Sequence, residues 1–364
     1  MKKYWSILTL MAIVQLVSAQ VIPVSVVATD SGIQFERGGE PYYAKGAGGH
    51  SHLPLLKKMG GNSIRTWSAD NAQEILDEAH ENGVSVMLGL WVQHERHGFD
   101  YNDEKAVRAQ LEKFTKVIDQ FKDHPALLVW GIGNEVDLNY SNTKVWAAIN
   151  DIAKVAHDLD PNHPTTTVTA GIDSMEVQLI MKDAPEIDIL SINTYGQIDE
   201  VPAQVKRFGW NGPYMITEWG PDGHWEVEKT SWGAPIEQTS QQKLESYYQR
   251  YTEYIEPYPN CIGSYVFLWG QKQETTPTWY GLFTEKGEPT QTLDAVERAW
   301  SPGDLEGPAA RYIAINMEGT SNEAELKLNA TKEYTFEVSF QLAGSLEEIR
   351  WEILAESTDI KSGG

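Results

Sequence analysis

The sequence predicts a (β/α)8 TIM barrel, an α/β fold, followed by a small partial all-β sandwich-like module, and three observations carry that prediction. From Tyr42 onward short β-rich runs alternate with amphipathic runs, the pattern of βα units around a parallel sheet. The alternation occurs eight times over roughly 260 residues, which suits a closed barrel better than an open doubly wound sheet. After Leu305 polar and apolar residues alternate between Gly, Asn and Ser turns, as in antiparallel strands.

Residues 1–19 read as an export signal. Lys2 and Lys3 precede an apolar stretch from Ile7 to Val17, and Val17-Ser18-Ala19 supplies small residues ahead of a cleavage after Ala19. The stretch is shorter than the roughly 20 residues of a membrane span. Gln20 rather than Cys follows the cut, so a lipoprotein is not expected, and the product is expected to be periplasmic or secreted.

The eight strands are expected at Tyr43–Gly46, Asn62–Trp67, Val84–Trp91, Leu127–Gly133, Thr165–Ala170, Asp188–Tyr195, Tyr214–Glu218 and Ile262–Trp269. Between them Val107, Leu111, Phe114, Ile118 and Phe121 recur at helical spacing, as do Leu244, Tyr248, Tyr251 and Ile255. Val145 to Leu159 and Leu293 to Trp300 mark two further helices. The barrel domain is taken as 20–303 and the β module as 304–364. In the module, strands are expected at Ala310–Met317, Ala324–Leu328, Tyr334–Gln341 and Glu348–Leu354, too few for a complete sandwich and so part of a longer protein.

Composition removes several classes of function. Lys plus Arg number 29 against 52 Asp plus Glu, a net charge of −23, whereas a nucleic-acid partner calls for a basic face. Cys261 is the single cysteine, which excludes an intrachain disulfide and a cysteine-rich metal centre. No glycine-rich phosphate loop follows the first strand. The chain carries 13 Trp and 16 Tyr, a composition suited to flat, ring-shaped ligands.

In such a barrel the active site lies at the C-terminal ends of the strands. The second strand ends at Arg65-Thr66-Trp67, the third runs into Trp91-Val92-Gln93-His94, and the fourth ends Gly133-Asn134-Glu135. The sixth ends Asn193-Thr194-Tyr195, the seventh Thr217-Glu218-Trp219 and the eighth Phe267-Leu268-Trp269. Two carboxylates, Glu135 and Glu218, therefore share one mouth with aromatic rings. That is equipment for breaking a glycosidic bond: a protonated acid for the leaving oxygen, an ionised carboxylate for the anomeric carbon, and rings against sugar faces.

With these residues in view the chain resembles a clan A glycoside hydrolase. Asp123-His124-Pro125-Ala126 leading into Gly131-Ile132-Gly133-Asn134-Glu135, followed by Thr217-Glu218-Trp219-Gly220, is similar to the catalytic domain of family 2 from about Tyr42 to Trp300. Asn62–Trp67 and Tyr280–Phe283 also resemble enzymes acting on β-1,3-glucans, including the glucanosyltransferases of family 72. The resemblance implies Glu135 as general acid/base, Glu218 as nucleophile, Asn134 as donor to the sugar 2-hydroxyl, Arg65 and Tyr195 as partners of the nucleophile, and Trp269 as the platform under the sugar. Carboxyls about 5 to 5.5 Å apart would retain the anomeric configuration.

Trp67, Trp91 and Trp219 are further candidate sugar contacts, and His50, His52 and His94 candidate partners of sugar hydroxyls. His50-Ser51-His52 would also suit the start of a metal-dependent amidohydrolase site, but the ligands such a site needs after later strands are missing, so no metal or cofactor is expected. A barrel retaining only carbohydrate binding would have lost a carboxylate. A transglycosylase would share the chemistry and differ in the acceptor. The expected reaction is hydrolysis of a β-linked glycan by double displacement, and the negative charge favours a neutral oligosaccharide or polysaccharide.

Overall fold

The computed structural model describes residues 20–29, 32–301, 311–317, 320–321, 326–341 and 349–357. The expected export signal at residues 1–19 lies outside the described residues, as does the junction at 302–310 between the two expected domains.

Eight parallel strands close a barrel. In chain order they are β4 (Ala44–Gly48), β5 (Ser63–Arg65), β6 (Ser85–Leu90), β7 (Leu127–Ile132), β8 (Thr165–Ala170), β9 (Ile189–Asn193), β10 (Tyr214–Trp219) and β11 (Cys261–Val266), each beside its successor, with β11 returning to β4. Each overlaps a run the sequence predicts, although β11 stops at Val266, three residues short of the expected end. The register is continuous through the closing pair, where Gly263 to Val266 lie opposite Ala44 to Ala47. Glycine is needed there: a Cβ on Gly46 would stand 2.3 Å from the Tyr265 ring.

Helices α1 (Leu53–Lys58), α2 (Ala72–Glu81), α3 (Glu104–Phe121), α4 (Lys144–Leu159), α5 (Ser174–Asp183), α6 (Val201–Arg207), α7 (Ser240–Gln249) and α8 (Thr292–Trp300) connect the strands. The Asp103 side chain caps α3 by accepting from the Lys105 and Ala106 amides, and its stripe of Phe114, Ile118 and Phe121 is buried. The stripe of Leu244, Tyr248, Tyr251 and Ile255 departs from expectation at one position. The α7 helix passes into a π-helical turn, Arg250–Ile255, which shifts the facing positions, so Tyr247 is buried and Tyr248 points to solvent at 42% exposure.

The N-terminal strands β1 (Val24–Thr29), β2 (Gly32–Arg37) and β3 (Glu40–Pro41) form an antiparallel sheet that the sequence reading did not anticipate. Val24 and Phe35 of this sheet pack with Ala44, Met87, Val129, Ile189, Met215, Ile262 and Tyr265 of the barrel strands. These contacts fill the barrel at the end away from the C-terminal ends of its strands, and the Val24 amide donates to the Asn162 carbonyl at 2.7 Å.

In the C-terminal segment β12 (Arg311–Met317), β13 (Thr320–Ser321) and β14 (Phe336–Gln341) form an antiparallel sheet in the order β13-β12-β14. Two of the four expected strands are present; Leu326–Leu328 and Ile349–Leu354 carry no strand, and residues 322–325 and 342–348 lie outside the described residues. Among the described residues no helix is long and apolar enough to cross a membrane.

Candidate active site

At the C-terminal mouth of the barrel lies a cavity of about 1190 Å³ whose wall includes Trp67, Trp91, Asn134, Glu135, Asn193, Tyr195, Glu218 and Phe267. Glu218 occupies the penultimate position of β10 and is buried. Its Oε1 accepts from Arg65 Nη1 at 3.0 Å and from Trp67 Nε1 at 2.7 Å, and its Oε2 accepts from the Tyr195 hydroxyl at 3.0 Å. The Arg65 guanidinium also lies over the Trp67 ring, 5.3 Å from its centroid. Room for that indole comes from Gly48, where a Cβ would sit 2.9 Å from the Trp67 ring.

Arg65 is locked from several sides. Nη1 reaches the Thr217 carbonyl at 2.8 Å and Asn193 Oδ1 at 3.3 Å, while Nη2 reaches Asn134 Oδ1 at 2.5 Å. Asn193 Nδ2 donates to the same Asn134 oxygen at 3.2 Å and to Glu135 Oε1 at 2.9 Å. One asparagine side chain thus joins the surroundings of both carboxyls. With Oδ1 committed, the amide nitrogen of Asn134 is the group this residue can offer a ligand.

Glu135 follows Gly133, whose φ is 79°, and itself has a φ of 51°. A left-handed non-glycine residue costs about 1–3 kcal/mol and persists only where surrounding contacts fix it. Here the Glu135 amide donates to the Val168 carbonyl of β8 at 2.9 Å, and Asn193 holds the side chain. Burial, followed by the negative charge of Glu218, raises the Glu135 carboxyl to about 7. The two carboxyls therefore differ in setting: one receives three donors including a fixed cation, and the other receives one amide and holds its proton near neutrality.

The structure brings Arg65, Asn134, Tyr195 and both glutamates together and places Trp91 in the cavity wall. Trp67 lines it too, whereas Trp219, Trp269 and His94 are set apart from the cavity. Trp219 is fully buried against Tyr247 and Tyr251, at 5.6 and 6.0 Å between ring centroids. Successive strand residues face opposite sides, so a Glu218 inside the barrel sends Trp219 outward to the helices. Trp269 is likewise buried, with Nε1 donating to the Ser51 carbonyl at 2.7 Å and its ring stacked toward Trp300. Neither ring has a face open to a sugar, which corrects the expectation for both.

His94 is buried behind the site, where its Nε2 donates to the Asn134 carbonyl at 2.5 Å and burial pushes its imidazole down to about 4. It supports Asn134 and does not line the cavity. His52 stacks on Phe283, with 4.5 Å between ring centroids.

Sequence reasoning missed three contributors. Phe267 lines the cavity in place of Trp269, because β11 ends at Val266 rather than running through to residue 269. Asn193 ends β9, a position the strand-end rule could have singled out. Asp137 accepts from the Ala170 amide at 3.0 and 3.1 Å, tying the loop after β7 to the end of β8, and burial raises its carboxyl to about 7.

The fold has known counterparts. Among curated proteins the chain is 23% identical over 309 residues to a β-glucuronidase of Paenibacillus borealis, covering 74% of this chain and 50% of the relative. It is 22% identical over 317 residues to a β-glucuronidase of Streptococcus agalactiae, covering 73% and 51%. Among solved structures, the β-D-glucuronidase of Dictyoglomus thermophilum matches with a TM-score of 0.60 at 20% identity, covering 78% of this chain and 54% of that one. The chain spans about half the length of the curated relatives it matches. Residues 50–261, more than half of the chain, match the family described as glycosyl hydrolases family 2, TIM barrel domain. The chain belongs to that family.

Proposed function

We propose that the protein is a retaining β-glycosidase. In the first step Glu218 attacks the anomeric carbon while Glu135 gives its proton to the leaving oxygen; in the second, water deprotonated by Glu135 displaces the sugar from Glu218. The observation that carries this reading is the unequal setting of the two carboxyls. Glu218 sits among Arg65, Trp67 and Tyr195, whereas Glu135 is raised to about 7. A nucleophile must be ionised and an acid must hold its proton, and two carboxyls at one mouth serve both roles only if their surroundings differ.

A neutral glycan suits the cavity best. Among the described residues lining it Lys272 is the only Lys or Arg, and Glu274 Oε2 pairs it at 2.7 Å. The relatives named β-glucuronidase act, by name, on a charged sugar, so substrate charge is the point to test. Wild type and Glu218→Gln are assayed on 4-nitrophenyl β-glucoside, β-galactoside, β-mannoside and β-glucuronide, and on β-1,3-, β-1,4- and β-1,6-linked oligosaccharides. Release from a neutral glycoside that falls at least about 1,000-fold in the variant is expected. Preference for the glucuronide would overturn the neutral assignment, and undiminished activity in Glu218→Gln would overturn the mechanism. Export of the mature chain is part of the same proposal, and N-terminal sequencing from the exporting host, expected to begin at Gln20, tests it.

A further inference from the structure

We propose that Trp225 is the platform of a second sugar subsite, so that the cavity takes at least two consecutive rings of a β-linked chain. The proposal rests on the glycosidase reading above. Trp225 is 52% exposed and lines the cavity, whereas Trp219, Trp269 and Trp279 are at most 1% exposed. Trp67 already uses its indole N–H on the Glu218 carboxylate. An indole exposing half its surface in a cavity wall gains little from folding, but it offers an apolar face to the C–H side of a sugar.

The ring is also held in position. It meets Tyr195 at 5.7 Å and 89° and His224 at 4.9 Å and 81°, two perpendicular neighbours. It lies across Gly223, where a Cβ would stand 2.5 Å from the indole. The Glu226 carboxylate ties the loop down, accepting from the Gly223 amide at 2.6 Å and from the Gly196 amide at 2.9 Å. Gly196 follows Tyr195, whose hydroxyl donates to Glu218. Trp225 is therefore in fixed register with the carboxylate at the reacting centre but does not touch it. The cavity, at about 1190 Å³, is larger than the ~300–1,000 Å³ of sites for single small ligands.

The test compares wild type, Trp225→Ala and Trp225→Phe on two probes of the sugar accepted in the aryl panel: its 4-nitrophenyl β-monoglycoside and its β-linked tetrasaccharide. The expected result is that the ratio of kcat/KM for tetrasaccharide over monoglycoside falls at least about tenfold in Trp225→Ala, chiefly through KM, with Trp225→Phe between the two. An unchanged ratio overturns the proposal, whether both activities fall together or neither falls. Thermal unfolding of each variant identifies a loss of fold, for which Trp225→Phe is the conservative control. Failure of the underlying reading is separately visible, because it appears as activity surviving in Glu218→Gln.

Discussion

On the proposed mechanism Glu135 should set the pH behaviour of the site. Its folded carboxyl is raised to about 7 by burial and by Glu218, whereas an unfolded glutamate titrates near 4.5. Below about 4.5 both states hold the proton; between about 4.5 and 7 the unfolded chain releases it and the folded chain keeps it. The folded state therefore loses stability through this group as pH rises across that window. The protonated acid is meanwhile lost above about 7, so kcat/KM should have an alkaline limb there. Glu135→Gln should lower kcat by about 10² to 10⁴ on glycosides with poor leaving groups and remove that limb. It should also unfold at a higher temperature relative to wild type at pH 7 than at pH 4.5. A pH–rate profile and unfolding curves at the two pH values check this; an alkaline limb surviving in the variant would assign it to another group. The carboxyls themselves were readable, because both close apolar strand runs. Their partners were read unevenly: Arg65 and Tyr195 also sit at strand ends, but the bond from Trp67 depends on an indole laid against Gly48, which no spacing reveals.

At the scale of the element, the strands were legible because runs such as Leu127–Ile132 and Cys261–Val266 are buried along their whole length, and continuous apolar sequence is the signature of a strand covered on both faces. Facing was less legible. The period of two places Trp219 opposite Glu218, and the π-helical turn after α7 exchanges Tyr248 for Tyr247, yet the composition of these segments gives no sign of either. The β1–β2 hairpin was invisible for a different reason: its role is to fill the barrel from below, and that contact joins residues distant in sequence. Phe35, 2% exposed, is its anchor. Phe35→Ala should cost about 3 to 5 kcal/mol of stability and lower the thermal midpoint. Its kcat at a temperature where the variant stays folded should change little, since the catalytic mouth is at the opposite end. Calorimetry and an activity assay on one preparation decide this, and an unchanged midpoint would mean that the hairpin does not seal the barrel.

For the whole molecule, the net charge of −23 acts on every approaching ligand. A neutral glycoside feels no long-range force, so its kcat/KM should vary less than about twofold between 20 and 500 mM salt. A β-glucuronide, if turned over at all, should gain kcat/KM with added salt, as the screening length contracts from about 20 Å to a few Å. Stopped assays over that salt range separate the two; a neutral substrate with strong salt dependence would locate the field at the site rather than over the surface. The sequence by itself determined the eightfold βα repeat and the barrel end at which two glutamates meet, because periodicity and strand-end position are local properties written residue by residue. Tertiary structure alone decided which tryptophans reach the cavity, how Asn193 joins the surroundings of Glu135 and Glu218, and why one carboxyl holds a proton that the other does not need. Those depend on burial and on distances of about 3 Å between residues far apart in sequence, such as Arg65 and Glu218, 153 residues apart, which exist only once the barrel has closed.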